Sequence, residues 1–304
     1  EIMTYDKLNS LSDIDITHIA YSDYINALVI IYSNANIDIL YDNEEIYNLS
    51  DFKNKTLPDK TINNIDIQGS TAYLSTSFGI VVLDLENMEF ENTYSTGLDT
   101  YCTYSYKGKL YSGTKDGFFG CDMGKNLLDR NNWEQLSTDR VVTSLCELDG
   151  KLYCLVDAVE VCTFIPDSRE FKSVVGNNGE KFSTIYCAGN EIIAPAKSKL
   201  CVIAGESAVA TYKNSGSNHI AKNGNVLWDC KGYKGLVECQ IKGNSVVETS
   251  LPVVPDTPVR NYCEYMKFTS EGKLLVAGGN INYFDNVFYD GTVMEYHSDD
   301  DDDE

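Results

Sequence analysis

The residues able to do chemistry in this 304-residue chain are dispersed rather than gathered. The three histidines, His18, His219 and His297, stand in different parts of a repeating pattern. Only convergence in space would make a metal or acid–base centre of them, and His18, on a predicted inner strand, is read as structural. Ten cysteines show no Cys-x-x-Cys pair and no Cys/His spacing of a zinc site. They fall inside predicted strands and are read as small core residues, with one or two disulfides left open. No phosphate-binding Gly loop, dinucleotide fingerprint, zinc-protease helix or nucleophile elbow is present. A glycosidase carboxylate pair has no fixed spacing in a repeat fold, so the 46 acidic residues nominate none. The tail Ser298–Glu304 lacks the Gly and spaced ligands of a calcium loop and is read as a solvated acidic tail or linker to a downstream region. Neither a metal nor a cofactor is expected.

Recognition is the better prospect. Twenty-one tyrosines and two tryptophans can supply rings for sugars or partner side chains, although core packing must claim most of them. The candidates beside loops are Phe78, Tyr101, Asp116, Phe118, Tyr233 and Tyr283. A net charge of −22 excludes a phosphate-neutralising nucleic-acid surface and disfavours attraction to anionic lipid. No apolar run is long enough for a membrane helix, and no signal peptide is visible.

The elements that position these residues come from a repeat. Thr61–Leu85 reads strand, Gly turn, strand, Gly turn, strand. Its second strand recurs as Ala27-Leu28-Val29, Ala72-Tyr73-Leu74, Leu110-Tyr111-Ser112, Leu152-Tyr153-Cys154, Ile192-Ile193-Ala194, Val226-Leu227-Trp228 and Leu274-Leu275-Val276. Successive copies start 34 to 48 residues apart, the period of propeller blades. Each copy supplies four strands, a to d from the inside out. The d–a and b–c loops share one face of such a fold. We therefore expect an all-β chain, a seven-bladed β-propeller over residues 1–297. Its last blade takes strand c from Thr292–Tyr296 and is closed by the N-terminal strand Ile2–Tyr5. Deleting residues 1–9 is expected to lower thermal stability. A short helical turn is expected within Lys125–Asn132.

Two resemblances follow from particular residues. Leu110-Tyr111-Ser112-Gly113-Thr114-Lys115-Asp116-Gly117-Phe118 through Asp122 resembles the repeat of two-component-regulator propellers, with Tyr111 in place of the usual Trp. Tyr5-Asp6-Lys7, Leu11-Ser12-Asp13, Asp15–Tyr21, Asn36-Ile37-Asp38, Lys60–Asn63, Ala72–Thr76, Phe78–Asp84 and Thr93-Tyr94 resemble the N-terminal propeller of the PorZ family, components of the type IX secretion system. The second resemblance implies a non-enzymatic, exported cell-surface domain. It would bind other secretion-system proteins or lipopolysaccharide glycan as a monomer. The first implies a periplasmic oligosaccharide sensor instead. A polysaccharide-active enzyme is a third reading.

Overall fold

The computed structural model describes residues 5, 7 and 10–253 apart from 177–178, 206–207, 215–218 and 233–234. Beyond these it describes the backbone of five short strands between residues 265 and 296. The chain divides into two units, Glu1–Pro252 and Val253–Glu304.

The first unit holds six antiparallel four-stranded sheets in chain order. They are β1–β4 (Ile16–Ser22, Ala27–Tyr32, Ile37–Tyr41, Ile46–Leu49), β5–β8 (Ile62–Gln68, Thr71–Thr76, Gly79–Asp84, Glu89–Tyr94) and β9–β12 (Thr100–Tyr106, Lys109–Thr114, Gly117–Asp122, Glu134–Ser137). There follow β13–β16 (Val142–Leu148, Lys151–Val156, Glu160–Ile165, Glu170–Gly176), β17–β20 (Tyr186–Ala188, Glu191–Pro195, Lys199–Ala204, Ala208–Lys213) and β21–β24 (Ile220–Asn223, Val226–Cys230, Leu236–Lys242, Ser245–Glu248). The fifth and sixth sheets also meet through one parallel bridge, Lys213 to Ser245. In the second unit, β25 (Tyr265–Phe268), β26 (Leu274–Ala277) and β29 (Val293–Tyr296) form an antiparallel sheet in that order. A small hairpin of β27 (Ile281–Asn282) and β28 (Val287–Phe288) lies between the last two in sequence. The expected strand c of the seventh copy is thus present. Of the N-terminal strand Ile2–Tyr5 expected to close it, residues 2–4 lie outside the described residues.

Alternation explains the sheets. Ala72, Leu74, Val81 and Leu83 point toward the first sheet and join its Val29, Ile31, Ile37 and Ile39 in one dry core. Their neighbours Tyr73, Ile80 and Val82 point the other way, toward Leu110, Cys121 and Trp133 of the third. Three further clusters join the third sheet to the fourth, the fourth to the fifth and the fifth to the sixth. The second to fifth sheets are therefore buried on both faces, which is why their middle strands read as continuous apolar runs. Such face-to-face repetition is the packing of a β-propeller.

The expected helical turn in Lys125–Asn132 is a single 3-10 turn at Arg130–Asn132, closed by Asp129 accepting from Asn131 N. The α-helical turn lies elsewhere, at Asp51–Asn54 (α1), where Phe52 plugs the core between the first two sheets. Lys53 of α1 reaches Asp13 at 2.6 Å. Asp13 also accepts from Asn34 and Asn36, and Lys53 first, then Asn34, hold its carboxyl well below the ordinary carboxylate range. Beside it, buried Asp38 accepts from Ser12 N, the Tyr32 hydroxyl and Asn48. The conspicuous Leu11-Ser12-Asp13 and Asn36-Ile37-Asp38 are thus two halves of one polar clasp.

Candidate functional site

The inner strands β1, β5, β9 and β13 each carry a bulge near the first turn of the ladder, at Thr17, Asn63, Tyr101 and Thr143. A bulge unpairs one residue and re-aims its side chain. The carbonyls at the entry of successive inner strands are then met by side chains of the preceding sheet. His18 Nε2 donates to Asn63 O (3.0 Å), Asn63 Nδ2 to Thr100 O (2.8 Å) and Cys102 Sγ to Val142 O (3.4 Å). Ser144 Oγ donates to Ile185 O (3.1 Å) and the Tyr186 hydroxyl to Ile220 O (2.8 Å). Each bond contributes about 1 kcal/mol, and together they fix the spacing of six inner strands. His18 is a member of this belt, and burial lowers its proton affinity, so the neutral ring donates.

At the same level, b–c loops close onto the residue before each inner strand. Ser33 N donates to Asp15 O, Ser77 N to Thr61 O, Lys115 N to Asp99 O and Asp157 N to Val141 O. In the second and third sheets the loop is the same four-residue turn, Thr76-Ser77-Phe78-Gly79 and Thr114-Lys115-Asp116-Gly117. The Thr hydroxyl donates to the Gly carbonyl and accepts from the N–H two residues on. The glycines are required. Their φ angles are +146° and +125°, and a Cβ would sit 2.2 Å from Tyr94 O or 2.1 Å from Ser137 O.

Phe78 and Asp116 therefore occupy equivalent loop positions in adjacent sheets. Asp116 is exposed, whereas Phe78 is half-buried against Phe52, ring centroids 6.3 Å apart. Tyr101, the bulge residue of the third sheet, is half-buried. Burial first, then the charges of Asp99 and Asp116, raises its phenol above the ordinary value. Asp99 is itself tied to the second sheet by Asn63 Nδ2 at 2.7 Å. The structure thus brings Tyr101 and Asp116 together with Asp99 on one loop face, and places Phe78 one sheet away.

Phe118 requires a correction. It is the strand-c residue directly after the turn, as Ile80 is in the second sheet, and it has no exposed surface. Its ring stacks on Tyr111 and meets Phe164 and Phe171 at 5.0 and 5.7 Å. Its side chain is core and offers nothing to a partner. Tyr233 and Tyr283 lie outside the described residues.

The sequence reading passed over one inner-strand feature and took two exposed cysteines for core residues. The polar alternation Asn64-Asp66-Gln68 in β5 was a legible sign that one face of that strand is not dry. Gln68 spends it on a reciprocal clasp, donating to Ser105 O and accepting from Ser105 N of the third sheet. Asp66 is less well served: its Oδ2 is buried without a hydrogen bond, and desolvation pushes the carboxyl up to about 7. The cysteines are the second point. Of the nine described, seven are buried as expected, but Cys187 and Cys230 are exposed. Cys263 lies outside the described residues. Among the described residues no group of three His, Cys, Asp or Glu is placed to hold a metal ion, and no helix is long and apolar enough to cross a membrane.

No curated protein matches the chain in sequence. Among solved structures, it is similar to PorZ, a bacterial surface component of the type IX secretion system of Porphyromonas gingivalis. The TM-score is 0.78 at 24% identity, over 96% of this chain and 39% of that one. The extracellular domain of a hybrid two-component system from B. thetaiotaomicron gives 0.55 at 13% identity, covering 94% of this chain and 47% of that one. A fungal Swd1 propeller domain (Myceliophteria thermophila) gives 0.61 at 10% identity, over 89% and 96%. These likenesses establish the propeller fold, and this chain spans about two-fifths of the PorZ chain. Residues 1–134, the first two sheets of the repeat and three strands of the third, match the family model of the type IX secretion PorZ N-terminal β-propeller domain, which bears out the resemblance carried by the clasp and turn residues.

Proposed function

We propose that this propeller is a recognition domain without bond chemistry in an exported, PorZ-like component of type IX secretion. In this reading it meets a protein partner through the b–c and d–a loops of its second and third sheets. The match of residues 1–134 to the PorZ propeller family carries the reading. The loop face favours a protein over lipopolysaccharide. Asp99, Asp116, Asp139 and Asp157 stand in its loops, and a chain of net charge −22 repels phosphorylated glycan unless cations intervene. Tyr101 is the aromatic anchor of the face, with Asp116 beside it.

The test is binding of the purified chain to purified secretion-system proteins and, separately, to lipopolysaccharide with and without calcium. The double variant Tyr101→Ala/Asp116→Ala should weaken protein binding by about tenfold or more while leaving the melting temperature in place. Unchanged binding by the variant refutes the assignment of the face. Binding of lipopolysaccharide alone refutes the protein reading.

A second reading, an oligosaccharide-sensing extracellular propeller, is favoured by the Leu110–Asp122 repeat and by the likeness to the two-component-system domain. Thermal stabilisation by a neutral oligosaccharide, with no response to secretion-system proteins, would establish it instead.

A further inference from the structure

We propose that Cys146 and Cys187 are a redox dithiol that closes to a disulfide between the fourth and fifth sheets. Both are free thiols on adjacent inner strands, Cys146 on β13 and Cys187 on β17. Ser144 Oγ fixes the level of the two strands, lying 3.1 Å from both Ile185 O and Thr184 Oγ1. Inner strands of successive sheets run the same way, so a step of two residues along each leads from Ser144 and Ile185 to Cys146 and Cys187. The sulfur of Cys187 lies 3.0 Å from the carbonyl of Glu147, directly over the chain that carries Cys146, and each thiol shifts the titration of the other.

The pair is asymmetric in the way thiol exchange requires. Cys187 is exposed, and the neighbouring Cys146 thiol lowers its proton affinity. Cys146 is buried, and its thiol is held well above the ordinary value by Cys187 and by desolvation. An accessible, acidified thiol beside a buried one is the arrangement of an attacking and a resolving cysteine. The carboxyl groups facing the pair are Glu147 and, from β5, Asp66, whose charge acts on both thiols.

The co-reactant is a small disulfide such as oxidised glutathione. The Cys187 thiolate attacks one of its sulfurs, forming a mixed disulfide and releasing one glutathione thiolate. The Cys146 thiolate then attacks the Cys187 sulfur, forming the protein disulfide and releasing the second. Two protein thiols are oxidised, one small disulfide is reduced to two thiols, and the two protein thiol protons go to the two leaving thiolates.

The reduced, folded chain is incubated with oxidised glutathione, alkylated in denaturant, cut with trypsin and weighed without reduction. Tryptic peptides 141–151 and 182–197 each hold one cysteine, Cys146 and Cys187 respectively. They should leave as one linked species that a reductant separates. In Cys146→Ser, Cys187 should accumulate as the glutathione adduct, because nothing resolves it. In Cys187→Ser, Cys146 should take up no glutathione while the chain is folded. A wild-type chain with native circular dichroism that keeps both peptides unlinked, or keeps Cys187 as a lasting glutathione adduct, overturns the proposal.

Discussion

Replacing Asp66 by Asn removes a charge that the fold accommodates badly, and the sign of the effect depends on pH. In the unfolded chain this carboxyl titrates near its ordinary value of 3.8, whereas in the fold burial pushes it to about 7. The folded state therefore binds the proton more tightly. Stability from this group is fully present below the unfolded value, declines as pH rises between the two, and is gone above the folded one. At about 1.4 kcal/mol for each tenfold change in proton affinity, the full difference is about 4 kcal/mol. Asp66 keeps some water contact, which screens the charge, so about 2 kcal/mol is expected. Asp66→Asn should leave stability nearly unchanged at pH 4 and raise it by about 2 kcal/mol at pH 8. Urea midpoints at pH 4, 6 and 8 for both proteins measure this directly. Many other carboxylates titrate in this acidic chain, but they cancel in the difference between variant and wild type. A difference that is flat from pH 4 to pH 8 refutes the assignment of a desolvated carboxylate.

Phe118→Ala empties the middle of a four-ring cluster and should cost about 3–5 kcal/mol in denaturation midpoint, with no effect on partner affinity in the variant that remains folded. Gly79→Ala forces a Cβ into the Tyr94 carbonyl at a φ that side chains avoid. It should lose about 2–3 kcal/mol, and a thermal melt that matches wild type would show that the turn relaxes freely.

How much was legible follows from what each residue answers to. The four-strand repeat was readable because turn glycines and alternating apolar residues obey local rules, and the structure places all six described sheets at the copies read from the chain. The loop position of Asp116 was readable for the same reason, since the Thr-x-x-Gly turn is set within four residues. Phe118 was misassigned because adjacency to a loop says nothing about which way a strand residue points. That is decided by the pleat and by the fourth sheet, whose Phe164 and Phe171 enclose it. The N-terminal residues that carry the family resemblance were legible as identity and opaque as physics until Asp13 and Asp38 were seen to share one clasp with α1.

By itself the sequence determined the period, the strand order within each sheet, the polarity of the surface and the family resemblance of its first third. Each of these depends on residues close together in the chain or on composition. Only the tertiary structure decided which side chains meet across sheets. The inter-sheet belt and the facing thiols of Cys146 and Cys187 join residues about 40 positions apart, and the burial of Asp66 depends on the same stacking. Their geometry is set by how the sheets stack, which no local pattern encodes.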